Sequence, residues 1–262
     1  MKNATIIFKK EIKEILKNRS IWLPILAISI VFSAFFPAAL TGGLEKMVKD
    51  PDAVDFIERV FQDTSNLQLV MLQFIIKQFI VFLLLIPAML PSLIAPASII
   101  LEKENNTLEP LIATPIKTGE LFLGKALTSL IPSFAVSFIN FLLIIIIVDS
   151  IAYTKFKLLP LPTWDWAVAT FILSPVISFI ITMICLIVSS KTVDIRSAQG
   201  IGSVVIFPIY AVIGLQIAGL FLLNVKYLII VCFVLIAVCP IVLRLAIKIF
   251  DRENILTKWK MK

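Results

Sequence analysis

Residues 82–115 read FLLLIPAMLPSLIAPASIILEKENNTLEPLIATP, and this stretch decides how the chain is interpreted. An apolar run that begins near Leu69 breaks off at Leu101, a charged and amide-rich patch follows, and a proline-punctuated segment leads to the next apolar run. About 20 residues rising about 1.5 Å each cross about 30 Å of hydrocarbon, so an uninterrupted run of this kind reads as a membrane span. The polar segment reads as a short helix. Thr107 can offer its hydroxyl to the first free backbone N–H groups, and Pro110 falls in the first turn, where a missing N–H costs nothing. Leu108, Leu111 and Ile112 make one apolar stripe, and Thr114-Pro115 stops the helix because the residue before a proline is pushed out of the α region. Glu102 to Pro115 is therefore an acidic cap and a short amphipathic helix on the membrane face, a surface suited to docking. A solvated inter-span loop fits the same residues.

The rest of the chain repeats the first half of this pattern. Of its 262 residues 60% are hydrophobic, and the mean hydropathy is +1.03. The fold class expected is an all-α membrane protein with six transmembrane helices, at about 21–40, 69–100, 121–148, 167–188, 200–223 and 227–249. Residues 1–262 then form one transmembrane domain. It opens with an amphipathic helix over 1–20 and carries one long polar insert, 41–68, on the outer side. The charged start resembles a signal peptide, but it contains Glu11 and Glu14 and no small-residue cleavage site follows, so the first span is read as uncleaved.

Lysine and arginine set the orientation. Seventeen lie on the side holding both termini and the 101–125 segment, against seven on the other, which places both termini and the central segment in the cytoplasm. The net charge of +7 thus belongs to membrane topology and gives no reason to invoke nucleic acid. In the first helix Phe8, Ile12, Ile15 and Leu16 form the apolar stripe, with Lys9, Lys10, Lys13, Lys17 and Arg19 around it. The outer segment opens with Gly42-Gly43, and Val54, Ile57, Val60 and Phe61 suggest a helix lying on the bilayer. Its carboxylates lack ligand spacing and read as a solvated face.

Pro87, Pro91 and Pro96 should bend or break span 2. Pro175 lies inside span 4, and the glycines of span 5 (200, 202, 214 and 219) allow close helix contact. Trp164 and Trp166 mark an interface. The few polar residues in the spans, Gln73, Lys77, Gln78, Asn140 and Gln216, are the candidates for a translocation path, with Lys77 expected to snorkel to the outer surface.

Several chemistries are excluded. The chain has no histidine, and its three cysteines sit inside apolar runs as small packing residues. Gly119 to Lys125 spells G-x-x-x-x-G-K, but alanine follows where a Ser or Thr should hold magnesium and no strand precedes, so it is read as the start of a helix. No nucleophile is matched to a base, so no catalytic residue, metal ligand or cofactor site is assigned. Ionisable groups are missing from the expected bilayer midplane, so a transporter of this sequence would draw its energy from elsewhere.

EKENNTLEPLIATPI, Glu102 to Ile116, closely resembles the signature after the second span of type-2 ATP-binding cassette (ABC) export permeases. KKEIKEILKNR (Lys9 to Arg19), GELFLGKAL (Gly119 to Leu127) and FDRENILTKW (Phe250 to Trp259) are similar to other parts of that family, though each is weaker alone. Asn105-Asn106 departs from many members, which carry a glycine before the threonine. The resemblance implies a non-catalytic permease subunit of an exporter, with an N-terminal elbow helix and a cytoplasmic coupling helix between spans 2 and 3. It implies pairing with a second permease subunit, as a homo- or heterodimer, and a separate ATPase subunit that binds ATP and Mg. Glu102, Glu104, Thr107, Leu108, Glu109, Leu111 and Pro115 would form the coupling element. A multi-pass protein of a prokaryotic plasma membrane is expected. The apolar span walls lean toward a hydrophobic peptide, drug or lipid as substrate. A membrane scaffold or receptor subunit without transport is the alternative.

Overall fold

Backbone polar groups in hydrocarbon must bond within their own segment, so apolar runs of this length fold as helices. A computed structural model of the chain describes residues 2–17, 19–60, 67–105, 107, 110, 118–192, 194–218 and 225–249, and these form helices with no strand among them. After the N-terminal helix (Lys2–Lys17) five helical stretches are long and apolar enough to cross a membrane: Leu23–Leu44, Leu67–Glu104, Gly119–Phe156, Trp164–Lys191 and Val225–Lys248. A bent pair, Ile195–Val204 and Phe207–Gln216, makes a sixth when counted as one span. They are called spans 1 to 6 in chain order, with the bent pair as span 5.

Several boundaries differ from the expectation. The helix of span 1 passes through Gly42-Gly43 to Met47, and a second helix, Pro51–Val60, follows within the outer segment. A glycine in a helix costs only about 1 kcal/mol, and Thr41 returns a hydrogen bond to the Pro37 carbonyl. Span 3 likewise runs on to Phe156, past the expected end at Val148, with Ser150 and Thr154 bonded back to the preceding turn. Trp164 is exposed, but Trp166 is fully buried against Phe141 and belongs to the core rather than to an interface.

Span 2 is the central post. It packs against spans 1, 3 and 4 and both halves of span 5. Its three prolines do not break it: Leu67–Glu104 is one helix of 38 residues. Pro91 frees the carbonyl of Pro87, one turn before it, and the Ser178 hydroxyl of span 4 donates to that oxygen at 2.9 Å. Gln199 Nε2 reaches the Leu93 carbonyl, near the gap left by Pro96, at 3.4 Å. Both donors come from neighbouring helices, and the first meets the carbonyl that Pro91 leaves free. Ser178→Ala should lower stability by about 1 kcal/mol in a wild-type background and by much less beside Pro91→Ala, which restores the internal donor. A thermal-unfolding double-mutant cycle measures the difference, and equal losses in both backgrounds would remove this account.

Proline acts differently elsewhere. Spans 1 and 4 each carry one widened π turn, at Val31–Phe35 and Ala169–Leu173, directly before a helix that has proline in its first turn. Span 5 breaks at Val205 and Ile206 with a 40° bend before Pro208. There Val205 N–H and Ile206 N–H turn back to Gly202 and Ser203. No side-chain donor reaches the Val204 carbonyl among the described residues. Gly202 is needed for packing: a Cβ there would meet Cys185 Sγ at 3.0 Å. Gly200 and Gly214 have open space around them, so the close contact expected of the span 5 glycines falls on Gly202 alone among those described.

Candidate functional site

The charges around Glu102 converge on a buried ammonium. Lys125 lies in the second turn of the helix Thr118–Phe156 and is fully buried. Its Nζ donates to Glu11 Oε1 at 2.7 Å and to the Ser98 carbonyl at 2.8 Å, and pairs with Glu102 Oε2 at 2.8 Å. An ammonium carries three N–H groups; two make these hydrogen bonds, and Glu102 is held as an ion pair. Lys10 stands 3.9 Å from Glu102 Oε1 at the rim. Burial pushes the Glu11 carboxyl above its ordinary value, and the neighbouring Lys125 pulls it back.

This pairing explains how the N-terminal helix docks. Ile7, Glu11 and Ile15 fall at i, i+4 and i+8, and all three are buried, whereas Phe8 and Ile12 are only half-buried. The inward stripe is thus Ile-Glu-Ile rather than the purely apolar stripe read from the sequence. Lys125 accounts for the exception, since a buried carboxylate is tolerated only beside a partner.

The next residue of span 2 makes a second tie. Lys103 Nζ donates to the carbonyls of Ser189, Ser190 and Thr192 at 2.8, 2.9 and 2.9 Å. The last carbonyls of a helix have no partner within it and carry the negative end of the helix dipole, so a buried lysine there is doubly favoured. Adjacent residues of span 2 therefore hold the N-terminal helix and span 3 on one side and the end of span 4 on the other.

The expected coupling residues are distributed along this end. Glu102 is buried in the ionic node, and Glu104 is the exposed last residue of the helix. Thr107 closes that helix: its N–H and its hydroxyl both donate to the Glu102 carbonyl, at 2.9 and 3.3 Å. Leu108, Glu109, Leu111 and Pro115 lie outside the described residues, as do the helix expected over them and the segment 250–259. The G-x-x-x-x-G-K segment lies within the helix that opens span 3, with Gly124 and Lys125 both buried.

Of the candidate path residues, the structure joins three. Gln78 Nε2 donates to the Gln216 carbonyl at 3.0 Å, and Gln216 Nε2 donates to the Lys77 carbonyl at 2.8 Å, clasping span 2 to the second half of span 5. Gln216 Oε1 is buried with no hydrogen-bond partner among the described residues. Gln73 is exposed. Asn140 lies apart, between spans 1 and 3, donating to Ser29 Oγ at 3.2 Å and the Val136 carbonyl at 2.7 Å.

Sequence reasoning missed Glu11, Lys103 and Lys125 as a set. One signal was present: Glu11 interrupts an apolar i, i+4, i+8 row between Ile7 and Ile15. It also missed the hydroxyls buried inside the spans, among them Ser133, Ser137, Ser174 and Thr182.

Apolar helices long enough to span a bilayer, tied at one end by buried ion pairs, define a multi-pass α-helical membrane protein. A sequence profile of the ABC-2 family transporter proteins matches residues 5–229, and the chain belongs to that family, the ABC-2 type permeases. No curated protein sequence matches the chain. Permeases of this family are membrane subunits of transporters, generally non-catalytic, and generally work with an ATP-binding subunit.

Proposed function

We propose that this chain is the membrane subunit of an ATP-driven exporter of a prokaryotic plasma membrane. It would pair with a second permease subunit, the same or different, and take its energy from a separate ATPase subunit that binds ATP and Mg. The observation that carries this reading, given the family, is the double tie at Glu102 and Lys103. A push on residues 102–116 would arrive at one node shared by the N-terminal helix and spans 2, 3 and 4. Spans held by such a node move together, which suits a mechanism driven from outside the membrane.

In this reading the node end faces the cytoplasm, as the lysine and arginine distribution favours, and the N-terminal helix is the elbow along the inner leaflet. Glu102, Glu104, Thr107, Leu108, Glu109, Leu111 and Pro115 form the coupling element. Gln73, Lys77, Gln78, Asn140 and Gln216 are the candidates along the path, and the Gln78–Gln216 clasp would have to open or slide for span 5 to move against span 2. Largely apolar walls favour a hydrophobic peptide, drug or lipid as cargo.

The test is affinity purification of the chain from native membranes, followed by an ATPase assay and transport in vesicles. A co-purifying ATPase is expected. Leu111→Asp and Thr107→Pro should leave a folded permease whose partner's ATP hydrolysis no longer drives transport. Coupled transport unchanged in both variants would remove the coupling assignment. Absence of any ATPase in lipid nanodiscs would move the chain to a scaffold or receptor role.

A further inference from the structure

An apolar cavity of about 290 Å³ lies among spans 2, 4, 5 and 6, one turn along spans 2 and 5 from the Gln78–Gln216 clasp. Val81 and Leu84 of span 2, Ile177 of span 4, Val212 of span 5 and Leu228 of span 6 are in its wall, and every lining side chain is apolar. Val205, at the break in span 5, and Pro208, just after it, are in its wall. Pro208 and Val231 of span 6 are exposed and form its edge toward the membrane.

A cavity without polar atoms stays dry and offers nothing to offset the desolvation of a polar guest. Sites for drug-sized molecules run from about 300 to 1,000 Å³ and place a few polar groups among apolar ones. Just below that range and with no polar group in its wall, this cavity suits a single hydrocarbon chain.

The mouth is different. Lys77, Val81 and Leu84 fall at i, i+4 and i+7, so Lys77 continues the cavity-lining face of span 2 by one turn. It is half-buried, and its ammonium has no hydrogen bond or ion pair among the described residues. Centring span 2 on the bilayer puts Lys77 about 13 Å from the midplane, near the edge of a hydrocarbon layer about 30 Å thick, with Val81 and Leu84 about 7 and 2 Å from the midplane. The cavity thus lies in the leaflet away from the ionic node, with a cation at its headgroup level. Lys226, at the start of span 6, adds a second positive charge at that end. Carboxylates lie further out, at Asp165 and on the helix Pro51–Val60, which meets span 2 at Phe74.

We propose that this cavity binds a bilayer amphiphile with one hydrocarbon chain and an anionic head, the chain among spans 2, 4, 5 and 6 and the head at Lys77. Taking that amphiphile as cargo rests on the exporter reading; its binding does not.

The experiment therefore uses the purified full-length chain alone, in nanodiscs, without ATPase. Hexadecyl phosphate with a photoactivatable group on its chain is compared with the matching hexadecanol, and labelled peptides are mapped. Hexadecyl phosphate should label the span 4 and span 5 segments around Ile177 and Val212 several-fold more than the alcohol does. Lys77→Gln should abolish that preference and Lys77→Arg should keep it. Ile177→Trp and, independently, Val212→Phe fill the cavity and should remove the labelling by both probes. Labelling confined to exposed residues such as Phe233, or unchanged in a folded filled variant, would overturn the site. Equal labelling by the two probes would overturn the anionic head. Since no partner is present, failure here leaves ATP-coupled export standing, and failure to find an ATPase leaves this labelling standing.

Discussion

Lys125→Met is expected to cost about 3–5 kcal/mol, enough to leave little folded protein, because it strands two buried carboxylates without their cation. In the wild type Lys125 Nζ lies 2.7 Å from Glu11 and 2.8 Å from Glu102, and both acids are more than nine-tenths buried. Methionine matches the length of the stem but brings no charge. The loss should depend on pH in a definite direction. Burial already holds the Glu11 carboxyl above 4.5, with Lys125 opposing the shift. A raised acid pKa means that the folded state holds the proton more tightly than the unfolded chain. Its contribution to stability therefore declines as pH rises above 4.5 through the folded-state value. Removing Lys125 removes the opposing pull and widens that window.

The variant should accordingly regain stability as pH falls from neutral toward 4.5, by more than the wild type does. Thermal unfolding followed by size-exclusion chromatography across that range checks it. A variant that melts with the wild type at every pH would show that the node is not a structural tie. Replacing the whole triad, with Glu11→Leu, Lys125→Met and Glu102→Leu together, should recover much of the loss, since a buried ion pair exchanged for packed apolar groups is often neutral. If that variant folds but no longer couples to an ATPase, the charges serve motion rather than stability.

Lys103→Ala is the second large effect. It removes three charge-assisted hydrogen bonds and leaves the carbonyls of Ser189, Ser190 and Thr192 facing a half-buried gap. One such bond contributes about 1.5–3 kcal/mol, and three sharing one ammonium do not add, so a loss of about 3 kcal/mol is expected. The damage should be local. Amide hydrogen exchange should rise through 186–197, where span 4 ends and span 5 begins, before the rest of the bundle responds. Lys103→Arg should recover only part of it, because a planar fork cannot direct its N–H groups at three carbonyls as an ammonium does. Uniform exchange across all spans would mean that Lys103 supports the bundle as a whole instead of tying span 4 to span 2.

The two lysines show how far the sequence could be read. Lys125 was legible as a residue at a span end, on the same side as Glu102. That it is fully buried was not, because its partner Glu11 is 114 residues away and reaches it only after the N-terminal helix has docked. The pairing of Gln78 with Gln216 was hidden for the same reason, being set by where span 5 crosses span 2. Lys103 carried no sequence signal at all, since its acceptors are backbone carbonyls.

What the sequence determined by itself is the set of apolar runs, the polar punctuation between them and the family. Each follows from the local requirement that a segment in hydrocarbon be apolar and close its own hydrogen bonds. What only the tertiary structure decided is the outcome at each proline. Pro91 and Pro208 are equivalent as letters, yet span 2 stays whole and span 5 breaks. At Pro91 the Ser178 hydroxyl of a neighbouring helix reaches the freed carbonyl, while among the described residues no side chain reaches the one at Val204. Val205 and Pro208, at the break, line the cavity, and the clasp lies one turn beyond Val81 and Val212 of its wall. Both depend on which helices lie side by side, a fact set by packing.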